Sequence, residues 1–532
     1  MMKKTIKKLL AALLAVAMVC AMAIPAFAYN TEENLNGTHG YSAFQIFKGV
    51  ISKDNMTLSN VEWGRNIPHY EDFLAKLKED PTLGNLFNEA DDVQDVLAVI
   101  SQWSNSDDNS IAFARFVCSY LYPDANANPK PVYTDHTGGF NIQEPGYYLI
   151  VDTTYFNPGD FYHAYNSFFL LNVPQAPYVV LVNHKVVKPY VEKEVYDNQD
   201  GTNEAGFGSS ADHAINEEFQ FKLTATLPAS PDRAYDYYKE YAVLFNDTLS
   251  NGITYDRLDS VVIKSNGIPY DITNDSSMYE VDDSRLESDH YFVVGIPDVK
   301  ACGAGLNLND GATITVTYTA HLNDNAAVNS TSGSTDNKNK VQLQYSNNPR
   351  NSAYWGFTPE SEVRVYTYQL NNTKYRDDDT TGNELAGAGF RLYSDKDCKN
   401  EVELYQEGNL YYPIKDAKKG VKNPVEMKSA EDGTFNVKGL DAGTYYLKET
   451  NPPTGYSACP DTKIVISATH DEYNVNLSGD SNLTNDIVNK KAGGITLPST
   501  GGIGTTIFYV VGGGLMVAAI VLLVTKKRME NK

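Results

Sequence analysis

The stretch YVEKEV, Tyr190 to Val195, alternates in a way that decides the reading of this chain. In an extended strand successive side chains point to opposite faces. Val191, Lys193 and Val195 therefore share one face, with Glu192 and Glu194 on the other. The same rule applied to NKVQLQY groups Asn339 with Val341, Leu343 and Tyr345, opposite Lys340, Gln342 and Gln344. In VLFNDTL, Asp247 aligns with Val243, Phe245 and Leu249. A lysine, a carboxylate and a carboxamide are thus expected on apolar faces of one domain. A charge in a core needs a partner. A buried Lys193–Asp247 ion pair is one solution. The other is chemical. Burial lowers a lysine's pKa and raises an aspartate's, so a proton can pass between them. The neutral amine can then attack the Asn339 carboxamide carbon and expel ammonia. Periodicity alone leaves both open.

Outward from this strand the alternation recurs. FQFKLTATL, YAVLFNDTL and ATITVTYTAHL read as strands on one side, and SEVRVYTYQL, GAGFRLYS and GTYYLKET on the other, with Gly and Pro between them. The exception is EDFLAKLKEDPTLGNLF through IAFARFVCSYLY, whose apolar residues, such as Phe73, Leu74 and Leu77, recur with helical spacing. The expected fold is mainly β: tandem Ig-like β-sandwich domains, the first with a helical insertion. GTFNVKGLDAGTYYLKE echoes GGFNIQEPGYYLIVD near the other end, which suggests related domains at both ends. The expected boundaries are 29–187, 188–359 and 360–494, flanked by terminal segments 1–28 and 495–532.

Those terminal segments set the compartment. Residues 1–28 carry a basic start, an apolar run and the small-residue site Ala26-Phe27-Ala28, the layout of a cleaved secretory signal. At the other end Leu497-Pro498-Ser499-Thr500-Gly501 precedes an apolar run, 503–524, and the basic cluster Lys526-Lys527-Arg528. The run is long enough to span a bilayer, and the cluster keeps the tail cytoplasmic. In this order the three features match the LPxTG sorting signal of Gram-positive surface proteins. That resemblance implies cleavage by a sortase between Thr500 and Gly501, with the Thr500 carbonyl passed to an amine. It also implies a secreted, wall-bound protein whose precursor is transiently membrane-anchored.

Net charge is −23, which disfavours nucleic-acid and anionic-membrane binding. No CxxC, HExxH or G-x-S-x-G occurs, and Asp377-Asp378-Asp379 lacks EF-hand spacing and reads as a solvated turn. No metal, no cofactor and no enzyme acting on an external substrate is expected. The cysteines Cys118, Cys302, Cys398 and Cys459 define no disulfide framework.

YYLKETNPPTGY, Tyr445 to Tyr456, matches the pattern YxLxETxxPxGY, the E-box of the isopeptide-forming, sortase-assembled backbone pilins of Gram-positive bacteria. LAGAGFRLY, from Leu385, resembles the strand that follows the reactive lysine in Cna protein B-type domains of that family, and NKVQLQYSNNP resembles the end of its middle domain. The resemblance implies two autocatalytic isopeptide bonds. One is Lys193–Asn339 with Asp247 as the acid, and the other is Lys374–Asn489 with Glu449 as the acid. Tyr445, Leu447 and Glu449 share a face, as do Ile487 and Asn489, but alternation does not place Lys374, whose face-mates are Leu370 and Asn372.

In the first domain Val151 stands where Glu449 stands in the repeat, with Asp152 one place off. Lys48 and Asn183 could imitate the other partners, but no bond is expected there. The family also uses an intersubunit lysine, usually in a YPK-like motif absent here. Lys185 is the best register match and Lys188 the alternate. The implied function is the major shaft subunit of a covalent pilus used in adhesion or colonisation. The alternatives are a monomeric wall-anchored adhesin and a secreted wall enzyme. The implied partners are sortase, identical subunits, accessory pilins and peptidoglycan, with the host ligand unidentified.

Overall fold

The computed structural model describes residues 40–492 and 503–530 apart from short internal stretches, the longest being 52–57, 154–166, 182–187, 199–204 and 329–336. The signal segment, Asn183, Lys185 and the LPSTG residues Leu497, Pro498, Ser499, Thr500 and Gly501 lie outside the described residues.

The chain is mainly β. Near its start Leu58–Trp63, Tyr41–Ile51, Gly146–Asp152 and Phe168–Val173 run in that spatial order through a five-stranded sheet, which Tyr133–Asp135 completes. The helices Tyr70–Glu79, Gly84–Phe87, Val93–Ile100 and Asp108–Leu121 interrupt the strands. Asp92 starts the third of these by accepting hydrogen bonds from the Gln94 and Asp95 amides at 2.9 and 3.1 Å, and Asp107 caps the fourth through the Asn109 amide. Phe73, Leu77, Phe87, Phe113 and Val117 pack this helical layer on Phe44, Phe47 and Leu149 of the sheet.

The central part is a sandwich of a six-stranded and a seven-stranded sheet. The first holds Tyr190–Asp197, Glu218–Leu227 and Ala312–Leu322 side by side. The second holds Val243–Leu249 next to Asn337–Ser346. Every second residue of Glu218–Leu227 and of Asn337–Ser346 is buried, so the two inner faces form one core, including Phe221, Leu223, Phe245, Val316 and Leu343. The strand Ser361–Tyr366 pairs with Asn337–Ser346 in this central sandwich. The expected boundary at 359 therefore moves to about residue 367. Pairing to a neighbouring edge overrides the Pro359 signal, and only the following strand, Tyr368–Arg376, enters the next sheet.

In the last sandwich a five-stranded sheet carries Tyr368–Arg376 between Asn436–Leu440 and Thr484–Asn489. A four-stranded sheet carries Gly443–Asn451 between Gly389–Tyr393 and Thr462–Ile466. Tyr368–Arg376 and Thr484–Asn489 are parallel neighbours, with Lys374 opposite Ile487 and Arg376 opposite Asn489. The first and last strands of the domain thus lie side by side.

The two sandwiches meet closely. Gly439, at φ +91°, sits so near Ile215 that a Cβ there would come within 2.4 Å of that side chain. The Ile215 amide donates to the Gly439 carbonyl at 2.9 Å. At the C-terminus Ile503–Glu530 is one helix. Its apolar run of 22 or so residues would be roughly 33 Å long, close to the hydrocarbon thickness of a bilayer. The side chains of 503–510 lie outside the described residues, and no helix among the described residues is long and apolar enough to cross a membrane.

Candidate functional site

The central core brings together the residues that alternation turned inward. Lys193 and Asp247 have no exposed side-chain surface, and the Lys193 ammonium pairs with an Asp247 carboxylate oxygen. Asn339 is also fully buried. Lys193 comes from the six-stranded sheet, and Asp247 and Asn339 from the seven-stranded one. Asp247 and Asn339 lie on paired strands, where Asp247 is opposite Val341 and Leu249 opposite Asn339. Same-face residues two apart on antiparallel neighbours lie about 7–8 Å apart, within reach of a shared side-chain partner.

Sequence reasoning missed a fourth member, Tyr318. Its hydroxyl accepts from Lys193 Nζ at 3.1 Å and from Asn339 Nδ2 at 2.6 Å, and donates to Asp247 Oδ1 at 3.2 Å. The signal was present: in ATITVTYTAHL, Tyr318 shares the face of Ile314 and Val316, and its polar end had to find partners there. Phe221 and Phe292 close around the Tyr318 ring at 5.3 and 5.2 Å, keeping the group dry.

Burial is the dominant force on this pair. It pushes the Lys193 amine down to about 8, against the opposing pull of Asp247. It pushes the Asp247 carboxyl up, against the opposing pulls of Lys193 and Tyr318. Both shifts favour the neutral forms. The Asn339 Oδ1 atom is buried with no hydrogen-bond partner. An unpartnered amide oxygen in a core is costly. Here it leaves an acceptor for any donor that comes to it.

The last sandwich repeats the residue types in another arrangement. Lys374 and Asn489 are fully buried, and Glu449 is 7 % exposed. Lys374 Nζ donates to Asn489 Oδ1 at 2.7 Å and to the Ile487 carbonyl at 3.0 Å. Asn489 Nδ2 donates to Glu449 Oε1 at 2.8 Å, and the Cys459 amide donates to Glu449 Oε2 at 2.8 Å. Burial again lowers the lysine's pKa, offset by the nearby Cys459 and Glu449. The carboxamide thus lies between amine and carboxyl. Here lysine and asparagine share one sheet and the acid comes from the facing one.

The first domain differs. Lys48 points outward, half exposed, and pairs with Glu62 at 2.9 Å. Val151 and Asp152 are both buried, and Asp152 stands opposite Tyr41. Lys188 is half-buried beside Pro189.

Residues 371–481 match the SpaA family of prealbumin-like domains, a span that includes Lys374 and Glu449. Residues 489–531 match the LPXTG cell-wall anchor motif. The trypsin-resistant surface T6 protein of Streptococcus pyogenes serotype M6 is 26 % identical over 375 residues, covering 59 % of this chain. The chain spans 65 % of that relative's length. Among solved structures, the T6 backbone pilin of serotype M6 S. pyogenes covers 86 % of this chain and 97 % of its own, with 17 % identity and a TM-score of 0.49. The full-length major pilin SpaD of Corynebacterium diphtheriae covers 90 % and 96 %, with 17 % identity and a TM-score of 0.44. The chain is a cell-surface protein that carries a SpaA-type prealbumin-like domain and an LPXTG wall anchor, and it is similar in sequence to the streptococcal T6 protein.

Proposed function

We propose that the protein is the shaft subunit of a sortase-assembled pilus and that it links its own side chains in two domains. The observation that carries this reading is the pair of buried lysine–asparagine–carboxylate sets, built on different strands yet made of the same residue types.

In the central domain the Lys193 ammonium passes a proton to Asp247. The neutral amine attacks the Asn339 carboxamide carbon. A half-turn of the Asn339 carboxamide, whose Nδ2 faces Tyr318, brings its oxygen toward the protonated carboxyl, which hydrogen-bonds it directly or through the Tyr318 hydroxyl and takes up the developing negative charge. On collapse the Nζ–C bond remains and the C–Nδ2 bond breaks. One amine proton leaves with the nitrogen as ammonia, and the product is a secondary amide. Folding supplies the proximity, so each set reacts once and no turnover follows. In the last domain Lys374 attacks Asn489. A half-turn of that carboxamide brings its oxygen to Glu449.

These bonds would serve the shaft. Lys193–Asn339 ties the two sheets of one sandwich, and Lys374–Asn489 ties the first strand of the other to its last. Force along the chain then bypasses most of each domain. Between subunits, sortase would join the Thr500 carbonyl to Lys185, or to Lys188, of the next copy. Such a head-to-tail contact propagates as a filament. Accessory pilins, peptidoglycan and a host surface are the further partners of this role in adhesion.

The test is a denaturing gel of wall-released protein. Shaft assembly predicts a detergent-resistant ladder that Thr500→Ala abolishes and that Lys185→Ala or Lys188→Ala abolishes according to which lysine is used. A single band from wild-type cells would indicate a monomeric anchored protein and overturn the proposal.

A further inference from the structure

The junction between the two sandwiches buries two histidine–carboxylate clusters, and they differ in what neutralises them. In the first, Asp197 and Asp212 from the central domain face His470 from the last, with His470 Nε2 at 3.4 and 3.5 Å from their oxygens. His470 Nδ1 is 2.9 Å from Ser210 Oγ, and Tyr368 donates to Asp212 at 2.6 Å. Burial pushes the His470 pKa down, but Asp197 and Asp212 together outweigh it and hold it up at about 9, so this cluster carries its own cation.

The second cluster is His213, Glu217 and Asp441, whose ligand-type atoms all lie within 4.8 Å of one another. His213 is 2 % exposed, and its ring stacks on Phe219 at 4.3 Å. Its Nε2 lies 2.7 Å from the Tyr196 carbonyl, which can only accept, so the proton is on Nε2. That leaves Nδ1 as a lone pair, and this atom is buried with no hydrogen-bond partner. Asn198 Nδ2 donates to Glu217 at 3.4 Å and to Asp441 at 3.1 Å. The Ala214 amide donates to Glu217 at 3.3 Å, and the Ala442 amide to Asp441 at 2.9 Å. Lys415, 41 % exposed, reaches Glu217 at 3.4 Å. Lys415 reaches Glu217 only from the half-exposed side, and among the described residues no hydrogen-bond partner meets the imidazole lone pair.

An unprotonated ring nitrogen and two carboxylates are what a divalent transition metal takes, and a hydrogen bond from the other ring nitrogen to a carbonyl is how metal-binding histidines are oriented. The geometry points to a divalent metal site at His213, Glu217 and Asp441, of the zinc type, that clamps the central domain to the last one. Mixed nitrogen and oxygen ligands favour zinc or manganese over calcium, which takes oxygen alone. His213 and Glu217 belong to one domain and Asp441 to the other, so the ion would hold the two in fixed orientation. This departs from the sequence reading, which expected no metal because no CxxC, HExxH or EF-hand spacing occurs. The inference is independent of the isopeptide bonds.

The test is calorimetric titration of the metal-stripped ectodomain, residues 29–494, with Zn²⁺, alongside its melting curve. One equivalent is expected to bind and raise the melting temperature, as any ligand selective for the folded state does. His213→Ala and the isosteric Asp441→Asn should each weaken binding by about tenfold or more. His470→Ala should leave it within about twofold, because that residue belongs to the self-neutralised cluster. No saturable binding to the wild type would overturn the inference. So would binding that survives both His213→Ala and Asp441→Asn, or that is lost only in His470→Ala.

Discussion

Removing the electrophile of the central domain has a magnitude that follows from the fold. Asn339→Ala leaves the Lys193–Asp247 pair and the Tyr318 hydroxyl in place and removes the carbon the amine would attack. If Lys193 and Asn339 are joined, the link closes a loop of about 150 residues, and the chain-entropy relation for crosslinks gives about 5 kcal/mol of stabilisation for that length. The truncation itself costs roughly 1 kcal/mol, because the carboxamide makes one hydrogen bond, to Tyr318, and leaves Oδ1 unpartnered. For a domain of this size about 5–6 kcal/mol corresponds to a fall of roughly 10–20 °C in melting temperature. The assay is differential scanning calorimetry of the ectodomain, in which the central transition should drop by that amount while the transition of the last domain stays in place. A fall of only a few degrees, with intact mass showing the same ammonia losses as the wild type, would refute the pairing and leave Lys193–Asp247 as a buried ion pair.

The other perturbations follow from the same geometry. Glu449→Ala removes the acid that holds the Asn489 carboxamide. Its ectodomain should lie only one ammonia below its own sequence mass, with the lowered transition now in the last domain. Tyr318→Phe keeps the ring packing but deletes the hydroxyl shared by all three partners. Bond formation after refolding, followed by mass against time, should slow by about a hundredfold, and an unchanged rate would remove Tyr318 from the reaction. The free amine also has a pH signature. In Asn339→Ala the Lys193 amine should stay buried beside Asp247, where burial pushes it down to about 8 from an ordinary value near 10.5 in the unfolded chain. Between these values the unfolded chain holds a proton that the folded chain does not, so stability rises with pH across that window, by up to about 1.4 kcal/mol per unit. The wild type, with this amine in an amide, should lack that slope in urea titrations, and an equal slope in both proteins would contradict the linkage.

Much of this was legible because strands impose a period of two. Lys193, Asp247 and Asn339 were turned inward by flanking residues that leave no ambiguity: Val191 and Val195, Phe245 and Leu249, Val341 and Leu343. Lys374 was not, because its neighbour on the same face is Asn372. The structure buries both, and Asn372 is satisfied by Asn485 Nδ2 at 3.1 Å and through its own Nδ2 by the Phe435 carbonyl. A polar residue with a polar partner on the next strand breaks the apolar row without breaking the strand, and no local pattern can show it. The edge at Pro359 failed for a related reason. Proline marks a break in a strand but does not say which sheet the next strand will join. The His213–Glu217–Asp441 cluster was invisible because its members are brought together only by the docking of two domains.

The central claim is that two lysines have become amides, and the intact mass of the purified ectodomain, residues 29–494, tests it most directly. The account predicts a mass two ammonia losses below that of the sequence, with Lys193 joined to Asn339 and Lys374 to Asn489 in the digested peptides. A mass equal to that of the sequence would contradict it, leaving two buried polar clusters and no self-linked shaft.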